Sequence, residues 1–429
     1  MRKALFGTTA LVTAGMFAST GAHAEGGIKL GLGGYMNNFF GVGDVDQDAG
    51  GVDDFNETGL FSDGEVWFLG ETTLDNGLTF GANVQLEAFG DSDTIDEDFG
   101  YMEGGFGRFQ FGSENTAAYL MQYSSPSVGA PINSGWVTSF IPAGTGQNTS
   151  FRSPAVSTFL DIGNDENTLT YFTPRTFGFQ LGVSYQPSLV FSGDGKNFPV
   201  QADEEAEFHD GIAVGINFVE SFGGVDIAVA GGYRRAEAPN GATVVALTST
   251  GVAGTNNQGV LQTFQVDDIE QFSGGLNIGF AGFTIGGSIA AETSGRVTGV
   301  SSTFGTASGV FSLPAAVLSG AVTALPGTPL VSGASFTSDA RSTEGFSWDA
   351  GISYGTGPWT FGVAYIHGEV EDSLTASGND EMDAIRGGIE YAVGPGITAS
   401  LSGMYADWEN DNGPDSDGFV GIAGVAFGF

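Results

Sequence analysis

The sequence predicts an all-β protein, a transmembrane antiparallel β-barrel of about sixteen strands with short turns at one end and long polar loops at the other. Three observations point there. Apolar and small or polar residues alternate with a period of two along segment after segment. Tight glycine-rich turns and long loops alternate between those segments. The last segment, Gly418 to Phe429, stays apolar to its final residue. An exposed apolar strand edge invites aggregation, so such a strand belongs where it can close a barrel against lipid.

The alternation is clean in several places. Leu78, Phe80, Ala82, Val84, Leu86 and Ala88 form one face of a strand, and Thr79, Gly81, Asn83, Gln85 and Glu87 form the other. Phe177, Phe179, Leu181, Val183 and Tyr185 alternate with Gly178, Gln180, Gly182 and Ser184. Phe346, Trp348, Ala350, Ile352 and Tyr354 alternate with Ser347, Asp349, Gly351 and Ser353. Aromatics gather near strand ends, which suits interfacial girdles around a lipid-facing band. The terminal strand sets Phe419, Gly421, Ala423, Val425, Phe427 and Phe429 outward and Val420, Ile422, Gly424, Ala426 and Gly428 inward. Val420 and Ile422 make its inner face more apolar than those of the other strands.

Short turns are expected at Asp75-Asn76-Gly77, Gly105-Phe106-Gly107, 174–178, 221–224, 280–282, 355–358 and 393–396. Long connections fall near 43–61, 90–97, 114–165, 187–209, 237–266, 294–344, 371–380 and 409–417. Seven short and eight long connections join sixteen strands and leave both termini on the short-turn side. The apolar stretch Gly309 to Val331 is a place for one more hairpin, which makes eighteen strands the alternative. Two connections are unusually long. Glu114 to Asp165 carries Tyr119, Leu120, Met121, Tyr123, Trp136, Phe140 and Phe151, and folding back into the barrel would bury them. Ser294 to Glu344, rich in Ser, Thr, Gly and Ala, reads as an extracellular loop.

Composition narrows the function. Gly is high at 72 and Phe at 36, while charged residues are 14% of the chain. There are 50 acids against 12 bases, a formal charge of −38. That excludes nucleic acid as a partner and electrostatic docking on anionic lipid. Without Cys there is neither a disulfide nor a thiolate metal site. Arg2 and Lys3, the apolar run Ala4 to Ala18 and Ala22-His23-Ala24 form a signal peptide, residues 1–24, ahead of a barrel domain, 25–429. No run of about 18 apolar residues offers a spanning helix, so the expected place is the outer membrane. Beyond the leader only His209 and His367 remain, and no nucleophile–base set, Walker loop, dinucleotide fingerprint or zinc motif is present. No enzyme activity and no cofactor are expected.

On these residues the sequence resembles the Gram-negative general porins, in particular those of α-proteobacteria. The resemblance rests on Leu74 to Gly81, on Tyr101 to Tyr119, on Leu169 to Tyr185 and on the terminal Phe429. It implies a homotrimer in the outer membrane that passes small hydrophilic solutes by diffusion. It also implies a third loop, after Ser113, folded inside as a constriction, and a terminal aromatic read by the barrel-assembly machinery. Outer-membrane lipid and lipopolysaccharide are the other partners. The sequence departs from the family in one respect. The family sets basic wall residues against acids on the third loop, whereas bases are scarce here and that loop has no acid between Glu114 and Asp161.

The working residues of such a channel line its lumen, and register assigns them. Val66, Phe68 and Gly70 point out, so Glu65, Trp67, Leu69 and Glu71 point in. The same alternation places Lys29, Glu87, Arg108, Gln110, Arg234, Arg386 and Glu390 inward, with Glu114 at the start of the third loop. The mixture has an acidic excess and favours cations. Asp44, Asp46 and Asp48 are spaced like a calcium loop, but the pattern has Ala49 and Phe55 where an EF-hand needs Gly and Glu. They remain weak calcium candidates. A substrate-selective channel, and a surface barrel or adhesin acting through its long loops, are the alternative functions.

Overall fold

The structure is a computed structural model that describes residues 27–47, 57–89, 95–143, 155–160, 163, 165–189, 208–239, 243–248, 260–294, 298–302, 336–341, 344–371, 378–411 and 415–429. The expected leader, Asp48, Phe151 and the apolar stretch 309–331 lie outside the described residues.

In chain order the strands are β1 (Lys29–Gln47), β2 (Thr58–Thr73), β3 (Thr79–Glu87), β4 (Asp98–Gly104), β5 (Gly107–Ser113), β6 (Asn167–Phe172) and β7 (Phe179–Ser188). Next come β8 (His209–Phe222), β9 (Val225–Glu237), β10 (Thr243–Thr248), β11 (Val260–Gln265), β12 (Ile269–Phe280) and β13 (Phe283–Ser294). The remaining strands are β14 (Thr298–Ser302), β15 (Phe336–Arg341), β16 (Gly345–Thr356), β17 (Trp359–Glu371), β18 (Asn379–Gly394), β19 (Ile397–Glu409) and β20 (Ser416–Gly428). Two short helices, α1 (Ala117–Leu120) and α2 (Trp136–Phe140), belong to the third loop.

Sixteen of these strands close one barrel in the order β1–β9, β12, β13 and β16–β20. The eighteen-strand alternative is therefore excluded. The extra strands form a separate sheet, β11-β10-β15-β14, built from the two longest later loops. All seven short turns stand where their glycines place them. Gly77, Gly224, Gly282 and Gly396 take positive φ there, which glycine adopts without a Cβ penalty.

The first long connection is shorter than expected, because β1 runs to Gln47 and β2 starts at Thr58. Asp44 and Asp46 consequently sit in extended β1, paired to Phe419 and Asp417 of β20. An extended backbone does not curl its carboxylates around one ion, so the calcium-loop reading of Asp44 and Asp46 is not carried further.

β20 pairs with β1 from Ser416 to Gly428. Gly34 and Phe429 exchange backbone hydrogen bonds of 3.0 and 3.1 Å. The apolar end of the chain is thus a paired stave. Phe419, Val425, Phe427 and Phe429 are exposed on its outer side, while Val420 and Ile422 are buried on its inner side. Around the barrel Phe80, Phe179, Leu181, Ile285, Ile352 and Leu401 are likewise exposed. A continuous outer band of such side chains requires an apolar medium.

The third loop fills much of the interior. Its outward arm passes α1 against β7–β9, and hydrogen bonds then tie it to β12, β16, β18 and β19 in turn. α2 ends the arm against β1 and β2, where Phe39–Phe140 and Phe61–Trp136 lie 5.4 and 5.5 Å apart. There Val137 and Ile141 join a buried cluster with Met382, Met404, Trp408, Val420 and Ile422. The apolar inner face of β20 therefore packs against the third loop.

Small residues on the inner wall make room for this loop. A Cβ at Gly275 would collide with the backbone oxygen of Tyr123, and one at Gly368 with that of Ala155. Gly215 and Gly388 approach Ala117 and Val128 in the same way.

Candidate functional site: the lumen

The third loop reaches β1 and β2 at Phe39 and Phe61, and beside that contact Tyr35, Asn37, Asp63, Glu65, Trp67 and Glu87 stay half-exposed. Alternation puts Tyr35 and Asn37 of β1, Asp63, Glu65 and Trp67 of β2, and Glu87 of β3 on the inner face. Glu65 is held from two sides. The Tyr35 hydroxyl donates to one carboxylate oxygen at 2.8 Å and Trp67 Nε1 donates to the other at 2.5 Å. The two rings stand 6.0 Å apart. Asn37 Nδ2 donates to Asp63 at 3.2 Å, and the Tyr101 hydroxyl to Glu71 at 2.7 Å. Lys29 is exposed at the start of β1, opposite Glu71 in the ladder.

Arg108, on β5, lies with its guanidinium carbon 4.0 Å from the Tyr101 ring centroid. A cation over an aromatic face is attracted by the ring quadrupole. The residue is half-buried, and the neighbouring Gln110 is buried at 4% exposure.

Acids gather at the root of the third loop. Asn115 Nδ2 donates to Glu97 at 3.1 Å and to Asp165 at 2.9 Å, and its backbone N–H donates to Glu114 at 2.9 Å. Carboxylate oxygens of Glu65, Glu87 and Asp96 lie within 4.8 Å of one another. Burial first, then neighbouring carboxylates, pushes Glu97 and Asp165 well above the usual carboxylate range. Glu114 is also raised by burial, opposed by the Asn115 backbone N–H and by Arg108. Crowded buried carboxylates cannot all ionise, so this root retains protons.

Two residues expected on the water-facing wall stand elsewhere. Arg234 and Arg386 are inward in register but fully buried, at 0% exposure, beneath the third loop. Arg386 donates to the backbone oxygens of Ala130 and Pro126 and, at 3.1 Å, to Ser127 Oγ. Arg234 donates to Gln186 at 2.5 Å and to the Gly163 oxygen at 3.3 Å. Arginine has donors for several carbonyls at once, which suits it to clamp an irregular backbone. Glu390 is half-buried and accepts from the Gly129 N–H at 2.8 Å. These three residues hold the loop.

A further anchor was not singled out by sequence. Asp349 accepts at Oδ1 from Ser125 N–H (3.1 Å), Ser288 N–H (2.6 Å) and Ser288 Oγ (2.9 Å). Asn133 Nδ2 donates to its other oxygen at 2.6 Å. Its signal in the sequence is a carboxylate on a face otherwise made of Ser and Gly, opposite Trp348.

A closed barrel with an apolar exterior, a polar inner wall and a loop folded through the interior defines a membrane channel. The sequence matches the Gram-negative porins over residues 7–413, and the chain belongs to that family. It is an outer-membrane porin, a non-enzymatic diffusion channel. No curated protein matches the sequence.

Solved structures with a similar fold include OmpF of Salmonella typhi in complex with daunomycin (13% identity, TM-score 0.53, 95% of this chain and 99% of that one). Another is the anion-selective porin of Comamonas acidovorans (13% identity, TM-score 0.50, 94% and 99%). A third is in-vitro folded OmpT of Vibrio cholerae in a trimer form (11% identity, TM-score 0.51, 94% and 100%).

Proposed function

We propose that this porin passes ions and small hydrophilic solutes with a weak preference for cations. The observation that carries the reading is the asymmetry of inward charge. Asp63, Glu65 and Glu87 are only half-buried on the β2–β3 wall, whereas Arg234 and Arg386 are sealed beneath the third loop. Among the described residues, besides Lys29 at the start of β1, the cations on the inner side that keep some exposure are Arg108 and Arg175, the latter donating to the inward Gln180 and Asn217 at 2.8 Å. Lys29, Glu65, Trp67, Glu71, Glu87 and Arg108 are the proposed pore-lining set, while Gln110 and Glu114, at 4% and 8% exposure, stand behind it.

The test is the reversal potential across a planar bilayer in a salt gradient, for the native protein and Arg108→Ala. Cation preference in both, larger in the variant, is expected. Anion preference in the native channel would overturn the reading.

The working form is a homotrimer, matured by removal of residues 1–24, assembled by the barrel-assembly machinery and embedded among lipopolysaccharide. The trimer form of the Vibrio OmpT relative supports the first point, and the quoted sequence blocks support an α-proteobacterial subtype. A second reading, binding of a surface partner, draws on the separate sheet formed by the loops after β9 and β13. Deleting the loop Ser294 to Glu344, which carries two strands of that sheet, then abolishes partner binding while conductance survives.

A further inference from the structure

We infer that His209, Asp210 and Glu237 form a transition-metal site of zinc type at the long-loop end of the β8–β9 hairpin. His209 stands opposite Glu237 in the ladder, so the two share a face. Asp210, the next residue, would point to the opposite face of a regular strand. Here the register breaks between His209 and Ile212, and Asp210 takes φ 49, a left-handed conformation that Asp adopts more readily than most non-glycine residues.

The bulge re-aims the carboxylate, as bulges beside functional sites do. Asp210 Oδ2 comes to 3.2 Å from His209 Nδ1. Ligand atoms of all three residues then lie within 4.8 Å of one another. The Tyr185 hydroxyl donates to Asp210 Oδ1 at 2.6 Å. Such an outer partner fixes a ligand carboxylate.

The imidazole is buried at 4% exposure, and its Nε2 has no hydrogen-bond partner. Nδ1, which faces Asp210, is the nitrogen offered to a metal, and Nε2 lies on the far side of the ring. One imidazole with two carboxylates is a donor set for Zn²⁺ or Co²⁺, with a fourth position for water. Ca²⁺ takes oxygen donors only. A metal here would staple the bulged start of β8 to the end of β9, where both strands leave the wall for long loops.

The protein isolated from the outer membrane is stripped with a chelator and titrated with Zn²⁺ by calorimetry and with Co²⁺ by visible absorption, both in excess Ca²⁺. One site per chain is expected. His209→Gln and Glu237→Gln should each weaken it by at least about tenfold, and His367→Gln should leave it unchanged. Glu237 is exposed, so its variant tests the site even if His209→Gln folds poorly. Displacement by Ca²⁺, no binding, unchanged affinity in the Glu237 variant, or loss in the His367 variant would overturn the inference.

Discussion

Asp349 shows how much of the channel hangs on single inward side chains. One carboxylate gathers donors from Ser125 and Asn133 of the third loop and from Ser288 of β13. Asp349→Ala leaves these groups buried without an acceptor, at about 1–3 kcal/mol for each unsatisfied group. The expected outcome is a loosened third loop, read as larger current noise in single-channel records and faster proteolysis within 120–140. Asp349→Asn, which keeps part of the acceptor capacity, should fall between. Quiet channels in the alanine variant would show that the loop is held elsewhere.

The acids at the loop root give a pH dependence whose sign follows from burial. Glu97, Glu114 and Asp165 are raised above the ordinary carboxylate value of about 4. The folded root therefore keeps protons that the unfolded chain releases. Its contribution to stability is full in acid and is lost as pH climbs from about 4 through the raised values. Channel noise should accordingly grow with pH over that range, and Glu97→Gln, uncharged throughout, should flatten the response. Noise that falls with rising pH would contradict the argument.

At the level of elements, the third loop is seated by what the wall lacks. Gly275 has the Tyr123 oxygen where its Cβ would be, and Gly368 has that of Ala155. Gly275→Val forces the outward arm off β12, whereas Gly231→Val, with Ile216 Cγ2 at 3.7 Å, is tolerated. Larger conductance in the first variant alone is the expected result. Strands, turns and outward rows were legible in the sequence because each depends on a period of two or on local turn chemistry. Arg386 was legible only as inward-facing. Its cover comes from Ala130, 256 positions away, and alternation within one strand carries no information on what packs across a lumen. Val420 and Ile422 are the converse. Their apolar character conflicted with a wetted wall, and that conflict marked the place where α2 docks.

For the whole molecule, the open question of charge is whether selectivity comes from the lumen or from the acidic surface behind the −38 formal charge. Ionic strength and mutation separate the two. The screening length falls from about 10 Å at 0.1 M salt to about 3 Å at 1 M. Distant surface carboxylates, such as exposed Asp44 and Asp46 on the outer side of β1, then stop acting on an ion inside. The half-buried Glu65 and Glu87, paired across β2 and β3, act at short range and are screened less. Cation preference at 0.1 M should therefore shrink at 1 M without vanishing. Glu65→Gln with Glu87→Gln should remove most of what survives at 1 M, while Asp44→Asn with Asp46→Asn should alter only the low-salt value. If the rim pair governs selectivity at both salts, the β1–β3 wall is not the selective element and the channel chooses its ions at the mouth.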